Sequence, residues 1–185
     1  MKQITLFTLM GLLVVGLFLT GCTTATNQEK STTHAPEVLS SAPNFTVTTT
    51  TGSVVSLETY MENGKPTIIY FMASWCPTCA KNWPVLEELY NRGDVNILAV
   101  SIDPTDTAEV LNKLASENDL SFPMVPGNPQ LMLDFGVKGQ ATTVGINSEG
   151  KIVTIKSGEM NLKEFDALIA QISKGTCSVG CSQNE

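Results

Sequence analysis

The chain has 185 residues, with 11 Lys and Arg against 18 Asp and Glu, a net charge of −7 and a single histidine. An acidic chain with one arginine, Arg92, has no basic patch for a phosphate backbone, which excludes nucleic acid as a partner. A zinc site is also short of ligands: five cysteines are present, but only one CxxC pair lies in the body of the chain.

The N-terminus carries Lys2 and then no charge before Glu29, with an apolar run from Ile4 to Leu19 between them. A basic start, an apolar stretch and a small-residue end describe an export signal. The run is also long enough to be read as a marginal spanning helix, although no basic stop follows it. Leu19-Thr20-Gly21-Cys22 resembles the lipobox of bacterial lipoproteins. That resemblance implies cleavage before Cys22, lipidation of Cys22 and a protein anchored outside the cytoplasm, at the outer face of the cell membrane or in the periplasm.

On this reading residues 1–21 are the signal peptide, 22–37 a flexible tether, 38–173 one folded domain and 174–185 a cysteine-containing tail. The tether is rich in Thr, Ser, Asn and Gln and cannot bury enough apolar surface to fold. The whole polar stretch 23–43, taken as a coil of about twenty residues, spans roughly 25 Å. His34 falls within it, where nothing holds the imidazole for ligation or catalysis.

Within the domain, Phe45–Thr48 and Ser53–Leu57 alternate apolar and polar residues around Thr51-Gly52, which predicts a half-exposed hairpin. Pro66–Met72 is a continuous apolar run, as expected of a strand buried on both faces. A helix follows from Pro77, with Trp83, Leu86, Leu89 and Tyr90 on one face. Val95–Ile102 predicts a second buried strand. Asp106, with Glu109 three residues on, predicts the cap of a helix whose apolar stripe is Val110, Leu111 and Leu114. Asn128-Pro129 opens a short helix reaching Phe135. Thr142–Ile146 and Ile152–Ile155 flank a turn at Gly150 as an antiparallel pair. Asn161 with Glu164 starts a last amphipathic helix through Leu162, Phe165, Leu168, Ile169 and Ile172. Strands alternating with helices predict an α/β domain, its sheet covered on both faces.

The chemistry concentrates in Ala73-Ser-Trp-Cys-Pro-Thr-Cys79. Cys76 at a helix start meets free backbone N–H groups and the positive end of the dipole, which favour a thiolate. Cys79, one turn on, is close enough to attack a mixed disulfide formed at Cys76. Pro77 suits the first helical turn, where no N–H is needed. Two other readings compete. Zinc needs a second ligand pair, and a structural disulfide stabilises least when its loop is this short.

A buried strand entering Phe71–Cys79, with Trp75 before the pair and Pro77 and Thr78 between the cysteines, resembles the active-site segment of thioredoxin-fold proteins. It is most similar to the membrane-tethered extracytoplasmic branch that includes the cytochrome c maturation reductases. Pro84 matches that family's helix-kinking proline, and Val137–Ile146 followed by Glu149-Gly-Lys-Ile resembles its substrate-facing loop and hairpin, with Gln140, Ala141 and Thr142 as loop residues. The resemblance implies a central mixed sheet flanked by helices behind an N-terminal hairpin. It also implies thiol–disulfide oxidoreductase activity without cofactor or metal, exported protein disulfides as substrates and a transmembrane thiol-electron donor as partner. Two departures stand out. Ala141 occupies the family's cis-proline position, where a cis bond before alanine costs about 3 kcal/mol, so a trans loop is expected. Tyr70 and Asn82 occupy the two positions where relatives carry a buried carboxylate, which leaves proton transfer at Cys79 to water.

The tail holds Cys177 and Cys181, four apart in a polar, glycine-bearing stretch. The pair is open to several readings: a local disulfide, a mobile dithiol, a second redox pair relaying electrons to Cys76 and Cys79, or a soft-metal site. Two rivals to the oxidoreductase reading remain. A copper-binding module on the same fold would favour CxxxC with an ordered histidine, and a peroxidase would centre on one marked cysteine.

Overall fold

A computed structural model describes residues 40–174. The expected signal segment, the expected tether with Cys22 and His34, and the tail with Cys177 and Cys181 lie outside the described residues. Among the described residues no helix is long and apolar enough to cross a membrane.

The alternating segment near the N-terminus forms β1 (Thr46–Thr48) and β2 (Val54–Ser56), paired antiparallel with Val47 opposite Val55 as a separate two-stranded sheet. Gly52, at φ 82°, supplies the left-handed residue that closes the turn. The second strand is shorter than its pattern predicts. Ser56 turns the chain by accepting a hydrogen bond from the Thr59 N–H, and α1 (Leu57–Glu62) begins where the strand was expected to continue.

Next come β3 (Thr67–Met72), α2 (Pro77–Arg92), β4 (Asn96–Ser101), α3 (Ala108–Glu117) and β5 (Met124–Val125). The three strands are parallel neighbours, and β5 is too short to have shown as a period. After α4 (Pro129–Asp134), β6 (Thr142–Ile146) returns antiparallel to β3, β7 (Ile152–Ser157) pairs with β6, and α5 (Leu162–Lys174) closes the domain. The sheet order is β5-β4-β3-β6-β7, so the strand carrying the cysteine motif is central.

Strand parity then assigns the two layers. Ile68, Tyr70 and Met72 face one layer with α2, α3 and α5, and Ile69 and Phe71 face the other with the hairpin, α1 and α4. Phe71 and Phe45 both lie against Phe135 there, with ring centroids 5.8 and 6.2 Å apart. Burying the five side chains of Ile68–Met72 contributes on the order of 10 kcal/mol, which explains an unbroken apolar run at the sheet's centre.

The cap of α3 is Thr107, whose hydroxyl accepts from the Val110 N–H, and not Asp106 as the spacing predicts. Of that helix's expected stripe, Leu111 and Leu114 are buried, whereas Val110 is 40 % exposed. Asn128 caps α4 through the Leu131 N–H, and Asn161 and Glu164 exchange the two hydrogen bonds of a capping box at the start of α5.

Candidate active site

The site begins where β3 runs out. Met72 still accepts from the Ile102 N–H, continuing the β3–β4 ladder, and the chain then turns through Ala73–Cys76, closed by a hydrogen bond from the Cys76 N–H to the Ala73 carbonyl. That turn delivers Cys76 to the N-cap of α2. Its sulfur accepts a hydrogen bond from the Cys79 N–H at 3.1 Å, and Pro77, which has no N–H, occupies the first helical position. Cys76 and Cys79 are joined as a disulfide with Cα atoms 5.2 Å apart. Cys76 is 4 % exposed and Cys79 is fully buried. Around them Trp75 is exposed, Pro77 is exposed and Thr78 is half-buried.

The residues expected to form the substrate loop lie at the start of β6, beside β3. Ala141 lies in the same buried cluster as Cys76, Cys79, Trp83 and Met160. Its backbone is left-handed, with φ 54°, a conformation that costs an alanine about 1–2 kcal/mol. Its carbonyl accepts from the Gly158 N–H at 2.7 Å. Thr142 is buried and hydrogen-bonded to the Gly139 carbonyl and to Ser157, and Gln140 is half-buried.

Tyr70 and Asn82, at the two positions where the resemblance implies a carboxylate, bond to each other. The fully buried Asn82 amide donates to the Tyr70 hydroxyl at 3.1 Å and to the Gly158 carbonyl at 3.0 Å, and its oxygen accepts from the Met160 N–H at 2.9 Å. Asn82 therefore ties α2 to the segment that holds Ala141. Burial pushes the Tyr70 phenol up to about 12, against the opposing effect of the Asn82 hydrogen bond.

The loop after β4 supplies residues that the sequence reading did not assign to the site. Asp103 accepts the Trp75 indole N–H at 2.6 Å, and hydrogen bonds from Thr105 and Trp75 hold its carboxyl below the usual carboxylate range. Asp106 is buried and accepts from Ser74 and Ser101. The signal for both was topological. β3 and β4 are parallel neighbours, so their C-terminal ends meet at one edge, and acids just beyond β4 face the motif just beyond β3.

Chemically, a disulfide closing so small a loop at a helix N-terminus, beside an exposed tryptophan, can be reduced by an external dithiol, and the dithiol so formed can reduce an external disulfide. Among known proteins, residues 38–155 match the model of the AhpC/TSA family. The chain is 31% identical to thiol-disulfide oxidoreductase ResA of Geobacillus kaustophilus over 176 residues, 92% of this chain and 98% of the relative. It is 28% identical to ResA of Bacillus thuringiensis subsp. konkukian over 74% of this chain and 79% of that protein. The crystal structure of StoA from Bacillus subtilis superposes with a TM-score of 0.59 at 25% identity, covering 69% of this chain and 96% of StoA.

Proposed function

The chain belongs to the AhpC/TSA family and is a thiol–disulfide oxidoreductase, and on that premise we propose that Cys76 and Cys79 carry out the exchange, reducing disulfides of exported proteins. In the working cycle the Cys76 thiolate attacks one sulfur of a substrate disulfide, forming a mixed disulfide and releasing the other substrate sulfur as a thiolate. Cys79 then loses its proton and attacks Cys76. The second substrate thiolate leaves, the substrate has gained two electrons, and the Cys76–Cys79 disulfide holds the oxidised equivalent.

The observation that carries this reading is the N-cap geometry. The Cys79 N–H donates to the Cys76 sulfur at 3.1 Å, a contact that would favour a thiolate there. The fully buried Cys79 suits the resolving role. Trp75, Pro77 and Thr78 would form the rim that meets the substrate, with Gln140, Ala141 and Thr142 on its opposite side.

The reducing direction rests on magnitude. A strong oxidant needs its reduced form stabilised by several kcal/mol, at about 1.4 kcal/mol per 30 mV. The helix terminus contributes about 0.3–1 kcal/mol. The side chains that bond Ser74 and Trp75 are acids, Asp106 and Asp103, and the nearby Lys81 is engaged with Glu159. The domain would work outside the cytoplasm, lipid-anchored through Cys22 after removal of residues 1–21, and a transmembrane thiol-electron donor would recharge the disulfide. A copper-holding role is disfavoured by the relatives, which are named thiol-disulfide oxidoreductases.

Equilibration of the full chain against glutathione tests the direction. A potential near roughly −120 mV, that of strong periplasmic oxidants, would refute it. A Cys79→Ser variant should accumulate mixed disulfides through Cys76 in cells, and a Cys22→Ala variant should either block processing or release the domain from the membrane.

A further inference from the structure

Asp106 is 2 % exposed and its carboxylate makes no ion pair among the described residues, where the acids in ion pairs are Glu159, Asp94, Asp166, Glu117 and Glu164. A buried charge without a counter-ion is costly unless donors surround it. Three do. The Ser74 N–H reaches one carboxylate oxygen at 2.8 Å, the Ser101 hydroxyl reaches the same oxygen at 2.5 Å, and the Ser74 hydroxyl reaches the other at 2.5 Å. None of this serves α3, which Thr107 already caps.

What the carboxylate holds is the turn Ala73–Cys76, in which Ser74 is the second residue. Ser101 ends β4, so the carboxylate links that turn to the sheet. The loop bearing Asp106 is itself braced. The Asp106 carbonyl accepts from the Gly127 N–H at 2.9 Å, its N–H donates to the Asp103 carbonyl at 3.0 Å, and a Cβ on Gly127 would meet that carbonyl at 2.1 Å. Asp103, three residues earlier, takes the Trp75 indole. One braced loop thus grips both residues that precede Cys76.

We propose that Asp106 is a positioning residue for the exchange: acting through Ser74, it holds the turn that sets the Cys76 sulfur at the N-terminus of α2. The proposal rests on Cys76 being the attacking sulfur.

The test is the alkylation rate of Cys76 by iodoacetamide in the reduced full chain from pH 5 to 9, with the labelled cysteine identified by peptide mass. Asp106→Asn removes the charge and the symmetrical acceptor. A Ser74→Ala, Ser101→Ala double variant keeps the charge and strips two of the three bonds. Ser74→Thr keeps the hydroxyl. Both of the first two should slow Cys76 at neutral pH about two- to fivefold, the span that a helix-terminus interaction gives, and Ser74→Thr should match the parent. Urea titrations confirm that each variant is folded under assay conditions, and Ser74→Ala alone, with a smaller slowing, substitutes for a double variant that is not. A parental rate in the serine variants overturns the proposal. So does an Asp106→Asn protein that reacts faster than the parent, since the carboxylate would then act on the thiol through its charge alone. Disulfide reduction by a Cys76→Ser protein is measured alongside. Retained activity there sinks the cysteine assignment, whereas lost activity with unchanged alkylation in the clamp variants sinks only the clamp.

Discussion

Replacing Ala141 with proline would install the residue that the resemblance leads one to expect, yet the backbone argues that the change is damaging. Proline holds φ near −65°, and Ala141 sits at 54°, a difference of roughly 120°. The loop cannot absorb that rotation in place. The Ala141 carbonyl would leave the Gly158 N–H, and Thr142, the next residue, would be drawn from its bonds to Gly139 and Ser157. At about 1 kcal/mol per bond, with a further penalty for orphaned groups, Ala141→Pro should destabilise by about 3 kcal/mol. Ala141→Gly provides the contrast. Relief of the left-handed strain recovers about 1–2 kcal/mol, while the lost methyl burial removes about 0.8 and glycine's extra freedom in the unfolded chain another 0.5–1. The terms nearly cancel, so the glycine variant should lie within about 1 kcal/mol of the parent. Urea unfolding of the oxidised proteins, compared at constant m-value, measures both. A proline variant as stable as the parent would refute the reasoning, because it would mean that the loop accepts a negative φ at no cost.

Three further outcomes follow from the same geometry. Asn82→Ala orphans the Met160 N–H and frees the Gly158 carbonyl and Tyr70 hydroxyl, and should cost about 2–4 kcal/mol in urea unfolding; a loss under 1 kcal/mol would show that water replaces the amide. Tyr70 ionises near 12 when folded and near 10 when unfolded, so its share of stability is intact below pH 10 and is lost as pH rises towards 12, amounting to about 3 kcal/mol. A Tyr70→Phe protein should accordingly have a shallower alkaline decline in its unfolding midpoint, and an unchanged slope would count against the buried phenol. Asp103 titrates below the ordinary carboxylate range, so its bond to Trp75 is present at neutral pH and is lost only as pH falls through that lowered value. Acid titration of tryptophan emission in a Trp83→Phe background should show this step, and its absence in Asp103→Asn identifies it.

The strands and helices that carry a long period were legible from the sequence. The central strand Thr67–Met72, the helix after Pro77 and the amphipathic stripe of α5 all announce themselves. The errors lie where two local signals compete. Ser56 looks like another polar strand position until its hydroxyl is seen capping α1, and Asp106 and Thr107 are both good caps. Which of the latter pair caps α3 is decided by Ser74, 32 residues away, which draws the carboxylate inward. The CxxC pair was legible because its chemistry is local: residue type, spacing and a proline at the helix start. The partners of Asn82 were not, because an asparagine gives no sign of which distant backbone groups it will bind. Nor was the left-handed backbone at Ala141, since alanine rarely adopts it.

The Asn82 cross-tie also has a consequence for the order in which the molecule can be made. Its backbone partners lie 76 and 78 residues further along the chain. Synthesis at about 5–20 residues per second leaves an interval of several seconds between the emergence of Asn82 and that of Gly158 and Met160. During that interval Cys76 and Cys79 exist without the wall that later covers them, and contacts so far apart in sequence are among the slowest to form. The two sulfurs are therefore present in the nascent chain before the C-terminal segment that encloses them.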